Sequence, residues 1–97
     1  MDYDVFISSL KDTNPPTNIS DYLLAMWHAL NNNWDDAHKI IQSINDDIAS
    51  WIHAYLHRLE GDISNANYWY ERAGKNPTNI PLDGEAEKII LSIIDNG

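Results

Sequence analysis

The histidines are the residues whose spacing would support chemistry in this chain of 97 residues. His53 and His57 are four apart, so on a helix they lie one turn apart on one face, and Glu60 continues the row. His28 takes the place of His57 when the sequence is aligned with itself at an offset of about 29 residues. Three imidazole nitrogens and a carboxylate suit zinc or another divalent metal. Together with Arg58, the same groups would suit a phosphate or carboxylate ligand.

Structural packing is the competing interpretation of these histidines, and the sequence favours it. Metal sites of the His-Glu-x-x-His kind have a general base directly after the first ligand, whereas Ala54 follows His53 here. We therefore expect His28, His53 and His57 to lie at a seam between helical hairpins and to bond carbonyls or carboxylates. No metal or other cofactor is expected on this interpretation, and zinc bound by the row is the alternative. His38 is expected to be a surface or seam residue.

Three consecutive aromatic residues, Tyr68, Trp69 and Tyr70, indicate a partner surface. On a helix they point about 100° apart, so they cannot all enter one core. Tyr70 shares the apolar row of Ala66, which leaves Tyr68 exposed as an anchor for a peptide or partner helix. Packing of Tyr68 over the following loop is the alternative. The predicted contact surface comprises six residues: His28, His53, His57, Arg58, Glu60 and Tyr68.

The segments that position these residues form a sequence repeat of two copies. Residues 22–37 align with residues 51–66 at the constant offset, so that Ala25 falls on Ala54 and aromatic residues fall on aromatic residues. A fixed period of this length is typical of stacked helical hairpins, because each hairpin buries its apolar face only against a neighbour.

The turns within the two hairpins match as well. Asn32 aligns with Gly61, and these two residue types most readily adopt the left-handed conformation that ends a helix. Asn33 aligns with Asp62, and both types are strong helix N-caps. Two unrelated requirements of a helix-turn-helix unit are thus met twice at the same spacing.

The remaining segments predict further helices. Residues 3–11 fit a helix capped by Asp2, with a short strand as the alternative, and Pro15-Pro16 then breaks the chain. The last helix, capped by Asp83, carries an isoleucine face that would shield the end of the stack or pair with a second copy of the chain. The predicted single domain contains hairpin 1 (about 19–45), hairpin 2 (about 47–74) and the capping helix (about 84–95).

The second hairpin resembles part of a tetratricopeptide repeat. Gly61-Asp62-Ile63-Ser64-Asn65-Ala66, followed by Tyr70, Ala73 and Pro77, is similar to the second half of that repeat. The first half departs from it, since His57 replaces an aromatic residue and the period is shorter than the usual ~34 residues. The resemblance implies a tetratricopeptide-like pair of hairpins rather than a standard array.

A longer resemblance, over roughly residues 22–74, is to a family of small bacterial proteins. It is carried by Trp27-His28, Trp34-Asp35-Asp36-Ala37-His38, the segment from Trp51 to Asp62, Asn65-Ala66 and the segment from Tyr68 to Gly74. That family has no assigned activity, so the resemblance implies no catalytic or ligand residue.

Composition restricts the classes of function. The net charge of -9 is spread along the chain and repels phosphate backbones, so no nucleic-acid partner is expected. No cysteine is present, which excludes disulfides and thiolate chemistry. Neither a signal peptide nor a run of about 20 apolar residues is found, so a cytoplasmic protein without membrane contact is expected.

These observations predict an all-α, tetratricopeptide-like module for interaction or scaffolding, with a protein or peptide partner. Its paired acids fall in helix caps and first turns, so no catalytic residue is assigned. Two alternatives remain open at this point. One is a metal- or small-ligand-binding protein, possibly an enzyme, that uses His28, His53 and His57; the other is a homodimer through the last helix.

Overall fold

The computed structural model describes residues 1–96, and within that range the chain is all-α, as the sequence predicts. A short 3-10 helix, Ser9–Lys11, follows the first α-helix. The α-helices of the described chain are α1 (Tyr3–Ser8), α2 (Asp21–Leu30), α3 (Trp34–Gln42), α4 (Asp47–Leu59), α5 (Ile63–Arg72) and α6 (Leu82–Asn96).

The N-terminal segment is helical rather than a strand. Oδ1 of Asp2 accepts a hydrogen bond from the amide of Val5 at 2.8 Å, which caps α1. Phe6 of α1 is fully buried and anchors the segment in the core. No regular helix forms between Lys11 and Asp21, as the Pro15-Pro16 pair requires.

The turns that join α2 to α3 and α4 to α5 share one conformation. Asn32 has a φ of 64° and Gly61 a φ of 85°, so both are left-handed. The amide of Asn33 donates to the carbonyl of His28 at 2.8 Å, and the amide of Asp62 donates to the carbonyl of His57 at 2.9 Å. Both bonds span five residues, as in a helix end closed by a left-handed residue. The expected caps differ, because Asn33 makes no side-chain capping bond, whereas Oδ1 of Asp62 accepts from the amide of Asn65 at 3.2 Å.

Helix α4 is the centre of the fold. It contacts α2, α3, α5 and α6. Every residue from Ala49 to His57 is buried. A helix that is buried on all sides has no solvent face, so its polar side chains must find partners inside the chain. Ala25 of α2 and Ala54 of α4, which correspond in the repeat, are both fully buried.

Helix α6 closes the core. It begins at Leu82, two residues before the predicted start, so Asp83 lies in the first turn and is not the N-cap. The carbonyl of Pro81 accepts from the amide of Glu85 at 3.1 Å and opens the helix. The apolar face packs on α1, α2 and α4 and buries Ala86, Ile89, Ile90 and Ile93. Most of the face on which the homodimer alternative depends is thus covered within the chain, while Ile94 is half-buried.

Helix length bears on membrane insertion. A helix needs about 20 apolar residues to cross a bilayer, and α6, the longest one described, has 15 residues. None of the helices in residues 1–96 has the combined length and apolar character for a membrane span.

Candidate functional site

Three histidines meet where α3 packs against α4, and we call them the histidine cluster: His38, His53 and His57. His38 lies on α3, and the other two lie one turn apart on α4. One ring nitrogen of each residue lies within 4.8 Å of those of the other two. Nε2 of His38 lies 2.9 Å from Nε2 of His53, which is a hydrogen-bond distance.

His28 does not join this cluster. Its ring meets that of Trp27 edge to face, with the centroids 5.4 Å apart, and its Nδ1 is buried without a hydrogen-bond partner among the described residues. The sequence repeat aligns α2 with α4, but the helix that meets the histidine face of α4 is α3. His38 therefore occupies the position that the sequence assigned to His28.

Burial determines the charge of the cluster. His53 is 6% exposed, and desolvation, reinforced by His38 and His57, lowers its pKa to about 4. Burial and the neighbouring His57 also lower the pKa of His38. Both rings are therefore neutral near pH 7, and one of the two facing nitrogens donates its hydrogen to the other. Neutral imidazole is the form that binds metal ions.

Two tryptophans fix the planes of these rings. Trp34 stacks on His38 with centroids 4.7 Å apart and planes 11° apart, and Trp69 of α5 stacks on His53 at 3.8 Å and 10°. Nε1 of Trp34 donates to the carbonyl of Leu56 at 2.6 Å, which holds the indole in place. Trp34 and His38 are four residues apart on one helix, and this spacing is the sequence signal that places His38 at the seam.

Glu60, at the C-terminal end of α4, lies beside His57. Its Oε2 accepts from Nδ1 of His57 at 2.7 Å, which directs Nε2 of that ring away from the carboxylate. Asp62 brings a second carboxylate oxygen within 4.8 Å of these two groups. Because both carboxylates are exposed and His57 is buried, acidic groups border the cluster on its solvent side.

Arg58 binds α6 instead of the histidines. Its Nη1 donates to Oε1 of Glu85 at 2.8 Å, and its Nη2 donates to the carbonyl of Ile80. Oε2 of Glu85 also accepts from Nε1 of Trp51 at 3.2 Å and from the hydroxyl of Tyr70 at 2.5 Å. Arg58 is therefore engaged in a buried ion pair and is not free to bind an anionic ligand beside the histidines.

Glu85 is the buried charged residue that the sequence analysis missed, with 1% of its surface exposed. An acid in the first turn of a helix is usually explained by the helix dipole. Glu85, however, is four residues before Ile89, in the row that packs on the core, and that register is the signal. Burial, its hydrogen bond to Glu85 and the charge of Glu85 raise the pKa of Tyr70 far above the ordinary value, so its hydroxyl keeps its proton.

Tyr68 lies on the outer face of α5 and is 52% exposed. Its ring meets that of Trp69 edge to face at 5.3 Å. The exposed guanidinium of Arg72 lies 5.8 Å from the ring centroid of Tyr68 and 5.3 Å from that of Trp69. These residues form a surface that we call the α5 patch: Tyr68, Trp69 and Arg72.

The predicted contact surface is therefore divided among different environments. Three of its residues lie together at the hairpin seam: His53, His57 and Glu60. The other three lie apart from them and from one another: His28, Arg58 and Tyr68. Since His53 and His57 are each 6% exposed, they offer almost no area to a partner protein.

Comparison with known proteins finds no protein-family model, curated protein or solved structure that matches this chain.

Proposed function

We propose that the protein is a small interaction module, built from tetratricopeptide-like stacked hairpins, that docks a protein or peptide partner on the α5 patch. The observation that supports this function is the exposure of Tyr68, at 52%, beside Trp69 and Arg72. Tyrosine, tryptophan and arginine are the residue types enriched among the side chains that contribute most to binding energy at interfaces. All three occur here on adjacent turns of one helix.

The patch is partly organised before any partner binds. Trp69 is stacked on His53 at 3.8 Å, so its ring has little rotational freedom to lose on docking. The guanidinium of Arg72 lies over both aromatic rings and within 3.5 Å of Oδ1 of Asn45. An ordered patch binds at a lower entropic cost than three mobile side chains would.

Net charge favours a basic partner. The chain carries 15 acidic residues against six lysines and arginines. Its single buried ion pair among lysines, arginines and acids of the described chain, Arg58 with Glu85, is electrically neutral, so the excess negative charge faces solvent. This charge attracts and orients a positively charged protein segment. We propose a lysine- or arginine-rich segment that contacts the aromatic rings of the patch.

Photocrosslinking tests this function. A benzoylphenylalanine in place of Tyr68 is expected to yield a discrete crosslinked species in cells, and the same probe in place of the exposed Glu87 of α6 is the control. Arg72→Ala in the Tyr68-probe protein should reduce the yield at least about fivefold, because truncation of a hot-spot residue costs more than about 1 kcal/mol. Melting temperatures establish that both probe proteins are folded. Equal adducts at positions 68 and 87, or no adduct at position 68, would contradict the proposal.

A further inference from the structure

We infer that His38, His53 and His57 bind one transition-metal ion, with zinc as the expected metal. The site adjoins the α5 patch, because Trp69 of that patch stacks on His53, but its existence does not depend on partner docking. The convergence of three ring nitrogens within 4.8 Å of one another carries the inference. Two further observations support it: tryptophans stack on two of the rings, and the carboxylate of Glu60 bonds His57.

The distances within the cluster match the size of a zinc site. Zinc binds imidazole nitrogen at about 2.0 to 2.1 Å in a tetrahedral arrangement, which separates two ligand nitrogens by about 3.4 Å. Nε2 of His38 and Nε2 of His53 are 2.9 Å apart, and all three ligand atoms lie within 4.8 Å. The required separation falls between these two values.

Neighbouring groups prepare the rings for a metal. Nδ1 of His57 donates to Glu60 at 2.7 Å, and such a carboxylate partner orients the imidazole and makes its other nitrogen a stronger ligand. Trp34 and Trp69 stack on His38 and His53 and hold their planes. Rings fixed by packing before the ion arrives are the condition for a well-defined metal site.

Simple packing explains the cluster less well. Within the cluster one hydrogen bond joins His38 to His53, since two facing nitrogens share one hydrogen, and His57 bonds Glu60 instead of the other two rings. A metal ion would be bound by lone pairs from all three rings, once the ring that donates this hydrogen bond carries its hydrogen on Nδ1 instead of Nε2. Burial of polar rings costs desolvation even when they are hydrogen-bonded, and apolar side chains would pack this seam at lower cost. Three imidazoles at one helix seam are accounted for by a shared ion.

The ligand set specifies the class of metal. Imidazole nitrogen suits zinc and the neighbouring divalent ions cobalt, nickel and copper, whereas calcium and magnesium require oxygen ligands. The half-buried His38 marks the side on which a water molecule would complete the fourth position. The ion would tie α3 to α4 and thereby hold the first hairpin against the second.

Calorimetric titration with zinc chloride tests the site on the untagged chain after treatment with EDTA. We expect one zinc ion per chain and a higher melting temperature with zinc. His38→Gln, at a half-buried position that tolerates the change, should weaken zinc binding at least about tenfold, because a ligand is lost. The same substitution at the histidine outside the cluster, His28→Gln, is the matched control and should leave the affinity within about twofold.

Nitrogen NMR of the histidine rings supplies a test without substitutions. Zinc should change the chemical shifts of the ring nitrogens of His38, His53 and His57, whereas the chemical shifts of the His28 nitrogens should stay unchanged. Cobalt in place of zinc should give the visible absorption of a four-coordinate ion. The inference is overturned if a tenfold excess of zinc leaves both the melting temperature and these nitrogens unchanged. It is also overturned if His38→Gln binds zinc as tightly as the original chain.

Discussion

Arg58 and Glu85 form an ion pair inside the protein, with Nη1 2.8 Å from Oε1 and side chains that are 13% and 2% exposed. The pair joins α4 to α6 across 27 positions of sequence. Arg58 also donates to the carbonyl of Ile80, so one guanidinium holds both the last helix and the loop before it. The carboxylate in turn accepts from Trp51 and Tyr70. This network attaches the C-terminal helix to the second hairpin.

Removal of one partner of this pair should be strongly destabilising. Arg58→Met leaves the carboxylate of Glu85 buried without its counter-charge, and such changes cost about 3 to 5 kcal/mol. The double variant Arg58→Met with Glu85→Gln should recover part of this loss, because no unpaired charge remains. Urea unfolding measures the free energy of unfolding of the single and the double variant. Lys88→Met, at an exposed position of α6, is the control. A loss in the double variant equal to or larger than the sum of the losses in Arg58→Met and Glu85→Gln would contradict the predicted coupling.

The tryptophan on α4 should matter far more to stability than the tyrosine on α5. Trp51 is 9% exposed, and Trp51→Ala removes a large buried ring at a cost of about 3 to 5 kcal/mol. Tyr68→Ala changes a side chain that is 52% exposed and should alter the free energy of unfolding by about 0.5 kcal/mol or less. Circular dichroism during urea unfolding makes the comparison. Equal destabilisation by the two changes would disprove the exposed setting of Tyr68.

Two glycine substitutions should have opposite signs. Gly61 has a φ of 85°, and an added Cβ meets no atom within 4 Å, so Gly61→Ala is destabilising through backbone strain alone, by about 1 to 2 kcal/mol. Gly84 lies inside α6, and its added Cβ reaches only Cδ1 of Ile80 at 4.0 Å. Gly84→Ala should therefore stabilise the protein by about 0.4 to 1 kcal/mol. Thermal melting distinguishes the two, and a shift of both melting temperatures in one direction would refute the backbone argument.

Stability should fall in alkaline solution because of Tyr70. Burial, then the hydrogen bond to Glu85 and its charge, raise the pKa of Tyr70 above the ordinary value of 10.0. The unfolded chain therefore loses this proton near pH 10, while the folded chain keeps it to higher pH. The stabilisation is complete below pH 10 and declines above it. Tyr70→Phe should lose less stability than the original chain between about pH 9 and 11 in urea unfolding. An equal loss in both proteins would contradict this origin.

Local features of the fold could be predicted because they depend on residues close together in the chain. The left-handed turns at Asn32 and Gly61 follow from residue types that tolerate a positive φ. The cap at Asp2 and the break at Pro15-Pro16 follow from the chemistry of single side chains or rings. The boundary at Asp83 was wrong by two residues, since Pro81 opens the helix with its carbonyl and the first turn includes that acid.

By itself, then, the sequence determined an all-α chain, its two hairpin turns and the one-turn spacing of His53 and His57. Only the tertiary structure decided that His38 rather than His28 completes the cluster, and that Glu85 is buried against Arg58. The reason is rotational. Successive side chains of a helix point about 100° apart. The partner of a side chain therefore depends on which neighbouring helix packs against the face that carries it. That choice is made by the packing of all the helices together and is not encoded in any one segment.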